Sequence, residues 1–375
     1  MRDSVAIVQI GVDVHRRFSM VSARGADGRV AWRQKLRHED RTHFRESIAR
    51  WPKGTPSVLE ATFGWGWISD ELSAAGLEPH LASSTKVAGW RKALGLAKSD
   101  RIDSDLLTEL PMTPNQRWWE VWTAPPDVRE RREWTRYRMG MVQMQTDEKC
   151  RIHAVLHRHG IINEHGDLFG VAGRKWLKEL IEKKDDRLPA SGRETLIGHL
   201  QTVDHIRRKI AQATAEIRRQ LTKTEAGERL RSIPGIGWVL AYTIYAEIGD
   251  ISRFPSAKHL VSYSLLAPRA YDSGKDEPDD SPRGRHLGKV GRRTLKWAYT
   301  EAAHSAIRHG GRFRKIYDLR TNNGKRDRNR GIIAVAHELC KLSYVVWKKN
   351  VNYQDTPPPR PGSEKRAKRS CSGTG

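Results

Sequence analysis

Residues 5–15, VAIVQIGVDVH, constrain this chain more than any other stretch. Val5, Ile7, Val8, Ile10 and Val12 make an almost continuous run of β-branched residues, the composition of a central strand covered on both faces. Such a strand delivers Asp13 to its carboxyl end. An anion there is unfavourable unless it is paired, hydrogen-bonded or bound to a cation. Two readings stand at this point: a turn aspartate that caps the next segment, or one member of an acidic centre whose other members lie downstream.

Charge narrows the partners. Over 375 residues the formal net charge is +24, a field that draws polyanions, and the arginines are interspersed with Trp, Tyr and His, as suits phosphate contact combined with base stacking. A membrane partner is excluded as a spanning protein, because no apolar run approaches the roughly 20 residues a bilayer requires. The N-terminus lacks the pattern of a cleaved signal. Cys150, Cys340 and Cys371 are too far apart for a zinc pattern or a disulfide framework, which points to a reducing cytoplasm.

Along the chain, FSMVSA and VAWRQKL flank a Gly/Asp turn and read as two further strands. A three-stranded meander that begins with an Asp-bearing strand suits a ribonuclease H-like sheet. His43 to Trp51 reads as a helix, and TPSVLEATFGWGW as a short strand that opens at Pro56 and ends at Glu60. An amphipathic helix stopped by Gly76 and a short strand, LEPHLAS, complete a mixed sheet with helices on it. In KSDRIDSDLLTEL, Asp100 and Asp103 fall three apart at the start of a helix, so their side chains share a face, whereas Asp105 points elsewhere. Ser99 or Asp100 serving as an N-cap is the competing reading.

The expected fold class is therefore α/β plus α, with four segments. Residues 1–125 form the sheet domain, and residues 126–225 a long helical, coiled-coil-like arm. Residues 226–352 form a mainly helical domain, and residues 353–375 a disordered basic tail. The third segment opens on IPGIG, whose glycines, Gly235 and Gly237, resemble a helix-hairpin-helix turn that brings backbone N–H groups to a phosphate. A tight interhelical turn without a ligand is the alternative. Further on stand Ser273 in YDSG, an acidic stretch with Asp276, Glu277, Asp279 and Asp280, and a basic stretch with Lys289, Arg292 and Arg293. The last three read as phosphate ligands or as a solvated basic face.

Asp13, Glu60, Asp100 and Asp103 thus form a candidate acidic centre. Crowded carboxylates repel one another unless a hard divalent cation is bound, and Mg²⁺ or Mn²⁺ suits both the carboxylates and a phosphate. Two such ions would stabilise the attacking and leaving oxygens of a phosphodiester displacement.

GVDVH, LEATFGWGW and AKSDRIDSDLL resemble the DEDD tetrad of the IS-one-hundred-ten family of insertion-sequence transposases, whose N-terminal domain is RuvC-like. IPGIGWVLAYTIYAEIGDISRF, YSLLAPRAYDSG and HLGKVGRRTLKWA are similar, in the same order, to that family's second domain. The resemblance implies a recombinase that excises and inserts its own element, with divalent metal at the tetrad. It implies that Ser273 is the nucleophile that becomes joined to a DNA end. It also implies a structured, non-coding bridge RNA that pairs with donor and target DNA. A homo-oligomer, dimer or tetramer, would let the serine of one protomer complete the metal site of another. The family's usual Ile-Ser-Lys-x-Gly stands here as His286, Leu287, Gly288, Lys289, Val290 and Gly291, so only Lys-x-Gly is kept. The alternatives are a Piv-type site-specific DNA invertase, a RuvC-like junction nuclease indifferent to Ser273, and a non-catalytic nucleic-acid-binding protein.

Overall fold

The computed structural model describes residues 6–115, 118–183, 185–267, 291–325 and 327–355; Ser273, Lys289, the acidic stretch and most of the expected tail lie outside them. Contacts divide the chain into two compact units, Met1–Arg129 and Glu130–Gly375.

The first unit is built on a six-stranded sheet in the order β3-β2-β1-β4-β5-β6. The strands are β1 Ile7–Val14, β2 Phe18–Gly25, β3 Val30–Arg37, β4 Pro56–Glu60, β5 Glu78–Ala82 and β6 Glu120–Val121. The meander pairs antiparallel, and β1, β4 and β5 run parallel to one another, so the sheet is mixed as expected. Its helices are α1 Arg41–Ala49, α2 Trp65–Ala74, α3 Ser84–Ala93 and α4 Asp100–Leu107. One face carries Ile10, Val12, Leu36 and Leu59 against Phe44 and Ile48 of α1 and Ile68 and Leu72 of α2. On the other face Val58 and Ala82 meet Leu106 and Leu107 of α4. Two features differ from the sequence reading. The short β6 and the helix α3 have no strong pattern of their own, and Val8, expected inside, is 40% exposed where the β1–β2 register shifts.

The second unit is helical among its described residues. Its long helices, α5 Pro126–Arg158 and α7 Ala190–Leu221, bracket α6 Val171–Glu182, and proline stands at the first position of α5, where its missing N–H leaves no bond unmade. Ile152, Val155 and Leu156 of α5, Leu177 and Leu180 of α6, and Leu196 and Val203 of α7 share one core. A larger core follows in α8 Glu225–Arg231, α9 Trp238–Ile248, α10 Ala257–Tyr263, α11 Arg293–His309, α12 Gly311–Thr321 and α13 Arg328–Lys348. From residue 130 on, the segments expected separately at 126–225 and 226–352 fall in this one unit. Ile217 and Leu221 of α7 belong to the larger core, and Arg132 of α5 donates from Nε to the carbonyl of Ala246 and from an Nη to that of Glu247 on α9. Among the described residues no helix is long and apolar enough to cross a membrane.

A candidate carboxylate centre at the strand ends

The parallel register sets the site. Ile10, Gly11 and Val12 of β1 stand beside Ser57, Val58 and Leu59 of β4, so Asp13 and Glu60 follow at the same level of adjacent strands. Side chains alternate along a strand. Asp13 therefore shares the face of Gly11, and Glu60 shares that of Val58, which packs on α4. Both acids look toward the helix that carries the other two.

What brings α4 so close is Gly11. A methyl group built there would lie 2.1 Å from the carbonyl oxygen of Ser104 and 2.9 Å from the amide nitrogen of Thr108, so the helix backbone rests directly on the strand. Ser99 caps α4 by accepting from the amide of Ile102 at 3.2 Å. Asp100 and Asp103 then occupy the first turn, where the helix dipole favours negative charge. Asp105 turns away and latches the helix to the meander. It accepts from Arg33 Nε and an Nη at 2.6 and 2.7 Å and from Ser22 Oγ at 2.7 Å. Arg24 of β2 adds bonds to Thr108 Oγ1 and Glu109.

Two basic residues that the sequence reading passed over complete the centre. His15 Nε2 lies 3.0 Å from Asp13 and 3.2 Å from Asp100, and its ring stacks on Phe18 at 4.5 Å. Arg91 of α3 donates to Asp103 at 2.6 Å, both side chains being largely buried. His15 is legible in hindsight as the second residue of an Asp-x-His pair at a strand end; Arg91 has no local signal, because its partner is twelve residues on and meets it only through packing.

Burial pushes the carboxyl of Asp13 above the usual carboxylate range, with Asp103 and Asp100 adding to the rise and the hydrogen bond and charge of His15 opposing it. Glu60 is pushed up to about 7, by burial first and then by repulsion from Asp13 and Asp103, against Arg91 and Lys98. Each group thus feels the others, which is the electrostatic condition for holding a cation. Ligand atoms of Asp13, His15 and Asp100 lie within 4.8 Å of one another. The donor set fits a hard divalent ion: acidic oxygens in excess, with Asp13 and Glu60 raised by burial and by neighbouring carboxylates, and a protein cation on Asp103. Asp13, His15 and Asp100 are the residues whose ligand atoms could hold such an ion, with Glu60 on the strand beside Asp13.

Of the other expected site residues, Gly235 has φ +89 and packs against α11, where a methyl group would lie 2.4 Å from the Ala302 carbonyl oxygen. Glycine there is required by the fold itself. Gly237 is the N-cap of α9 with open space beside it. Arg292 caps α11 and donates from Nε to Tyr263 Oη at 2.9 Å, while Arg293 is exposed in the first turn.

A mixed sheet that presents strand-end carboxylates to an acidic helix fits the RuvC-like catalytic domains of enzymes that act on DNA. Residues 10–161 match a family model described as a transposase, that of the DEDD transposases of IS110. Residues 227–318 match a second, described as the transposase IS116/IS110/IS902 family. The chain belongs to the IS110 family of transposases, and is an enzyme of the transposase and recombinase class.

Its relatives agree. The transposase for insertion sequence element IS1111A of Coxiella burnetii is 21% identical over 350 residues, which is 92% of this chain and 91% of that protein. An uncharacterized 43.6 kDa protein of insertion element IS110 from Streptomyces coelicolor is 26% identical, but the alignment spans only 50% of each chain. The pilin gene-inverting protein of Moraxella bovis is 34% identical over 122 residues, or 32% of this chain and 36% of its own.

Proposed function

We propose that this chain excises and inserts a DNA element by metal-dependent strand cleavage and exchange, with Ser273 as nucleophile and a structured RNA choosing the sites. The observation that carries the reading is the gathering of Asp13, Glu60, Asp100 and Asp103 from two strand ends and one helix turn, with Glu60 pushed up to about 7 by burial and then by repulsion from Asp13 and Asp103. A bound Mg²⁺ or Mn²⁺ would supply charge for the phosphate oxygens and lower the barrier to losing a hydroxyl proton. The protein's own part is to orient. Asp13 and Glu60 stand on adjacent rigid strands, α4 is fixed by Gly11 and Asp105, and Arg91 holds Asp103 in place.

In the cleavage step Ser273 Oγ gives its proton to a base and forms a bond to phosphorus, while the bond from phosphorus to the departing strand oxygen breaks and that oxygen takes a proton. In the joining step a strand hydroxyl displaces the serine by the reverse exchange. One phosphoester is kept throughout, so no nucleotide triphosphate is consumed. Lys289, Arg292, Arg293 and the amides near Gly235 and Gly237 would contact phosphates, and a dimer or tetramer would bring the serine of one protomer to the carboxylates of another. The net charge of +24 and the two long helices suit a chain that holds RNA and two duplexes.

The test is strand exchange on donor and target duplexes with the element's flanking RNA and Mg²⁺. Asp13→Ala and Ser273→Ala should each abolish product, and Ser273→Ala should also abolish the covalent protein–DNA adduct. Normal exchange by both variants would overturn the reading. The match to a pilin gene-inverting protein favours inversion as the second reading. It predicts product from paired sites on one molecule and none from separate donor and target.

A further inference from the structure

In the second unit a carboxylate is buried for no purpose that its own hydrogen bonds explain. Glu247 on α9 is 1% exposed, and neither of its side-chain oxygens accepts a hydrogen bond. An anion in that position is costly, and what offsets it is charge: Arg132 Nε at 3.6 Å and Arg292 Nε at 3.9 Å from Oε2. Arg292 is held from a second side. Gly291, at φ +152, passes so close to Tyr263 that a methyl group would lie 2.7 Å from its carbonyl oxygen, which lets the Arg292 amide donate to that oxygen at 2.9 Å. Nε then donates to the Tyr263 hydroxyl, also at 2.9 Å. The inner edge of this guanidinium is therefore occupied, and its two terminal nitrogens hydrogen-bond no described residue, on a side chain still 36% exposed.

Arg292 is also the N-cap of the 17-residue helix α11, which has no side-chain cap and no acid in its first turn. Among the described residues no carboxylate caps its first amides, where such groups are usually found. We infer that Glu247 and Tyr263 are positioning residues that hold the Arg292 guanidinium so that its two terminal nitrogens take one phosphate of a nucleic-acid strand. Two oxygens of a phosphate match the two terminal nitrogens of a planar fork fixed along its inner edge, and the start of a helix adds a partial charge of the same sign. The inference rests on the DNA-processing reading above and adds the residues that make the phosphate contact specific.

The full-length protein is titrated with a short duplex DNA across a series of salt concentrations without divalent metal, so that no chemistry contributes. Each phosphate contact adds about 0.9 to the slope of log affinity against log salt for duplex DNA. Arg292→Gln should weaken binding about five- to tenfold and lower that slope by about 0.9. Glu247→Gln and Tyr263→Phe should do the same to a lesser degree, and should add nothing in the Arg292→Gln background. Tyr263→Phe removes one hydroxyl alone, so it answers the question even where Glu247→Gln shifts the melting temperature. A merely structural role moves melting and leaves the salt slope alone. Unchanged slopes in Arg292→Gln, or tighter binding by Glu247→Gln, would overturn the inference while leaving strand exchange standing; a wild-type protein that ignores duplex DNA would instead overturn the functional reading beneath it.

Discussion

Gly11 of β1 and Ser104 of α4 are in backbone contact: the carbonyl oxygen of Ser104 occupies the place a side chain at residue 11 would need, 2.1 Å from where its Cβ would stand. Everything on the first turn of α4 depends on that approach. Two of the three nearest atoms are backbone and the third is the Cβ of Leu107, which no rotamer moves, so neither partner can yield by a rotamer change.

Gly11→Ala should therefore destabilise the protein by about 1–3 kcal/mol, as overpacking does, and lift Asp100 and Asp103 away from Asp13. Urea unfolding gives the first number, and loss of strand exchange beyond what stability explains gives the second. An alanine variant that melts and recombines like wild type would mean that α4 is not seated as described.

Two acids two residues apart on α4 should answer differently to neutralisation. Asp105→Asn loosens the latch to Arg33 and Ser22. The pair is partly exposed, so solvent screening holds the loss to about 1 kcal/mol, and exchange activity survives at reduced stability. Asp103→Asn, in contrast, leaves Arg91 buried without its counter-charge, so it should lower stability by about 3 kcal/mol as well as remove activity. Melting curves and exchange assays on the two variants separate the roles.

Arg91→Ala leaves Asp103 buried beside Asp13 and Glu60 with its cation gone. Removing one partner of a buried pair costs about 3 kcal/mol. Divalent cation should recover much of it, because it supplies the same charge to the same carboxylates. The check is thermal unfolding with and without Mg²⁺: the increment on adding metal should be larger in Arg91→Ala than in wild type.

The raised carboxyls set a pH dependence in metal-free protein. Glu60 sits at about 7 when folded against 4.5 for the free side chain. The folded state therefore holds more protons between those values, and the stability present below about 4.5 is lost as pH rises toward 7. Asp13, raised in the same direction, adds to the loss. Glu60→Gln should then match wild type near pH 4.5 and exceed it above pH 7, by on the order of 2 kcal/mol once the partial exposure of Glu60 is allowed for. Unfolding free energies measured across that range, in chelator, test the sign; a Gln variant less stable at pH 8 would refute it.

Local pattern was enough for the elements that frame this centre. The β-branched run of β1, the turn between β2 and β3, the Pro56 opening of β4 and the three-residue spacing of Asp100 and Asp103 each act over a few residues, and the strands and helix they predict are present. The motif order likewise announced the family. Asp105 was legible as the odd member of its cluster, since a two-residue step turns a helical side chain to another face.

Pairing across the fold was not legible. Nothing near Arg91 says that it will sit on Asp103, nothing near Gly11 says that a helix eighty or more residues on will rest there, and Glu247 reads as one more polar residue in an apolar helix until α5 and α11 bring Arg132 and Arg292 to it. Which strands and helices form, where the acids fall on them, and which lineage they belong to follow from neighbours along the chain, and so are written in local pattern. Which charges meet and which glycine is indispensable emerge with packing alone, because burial and Coulomb energy depend on distances in space that periodicity does not encode.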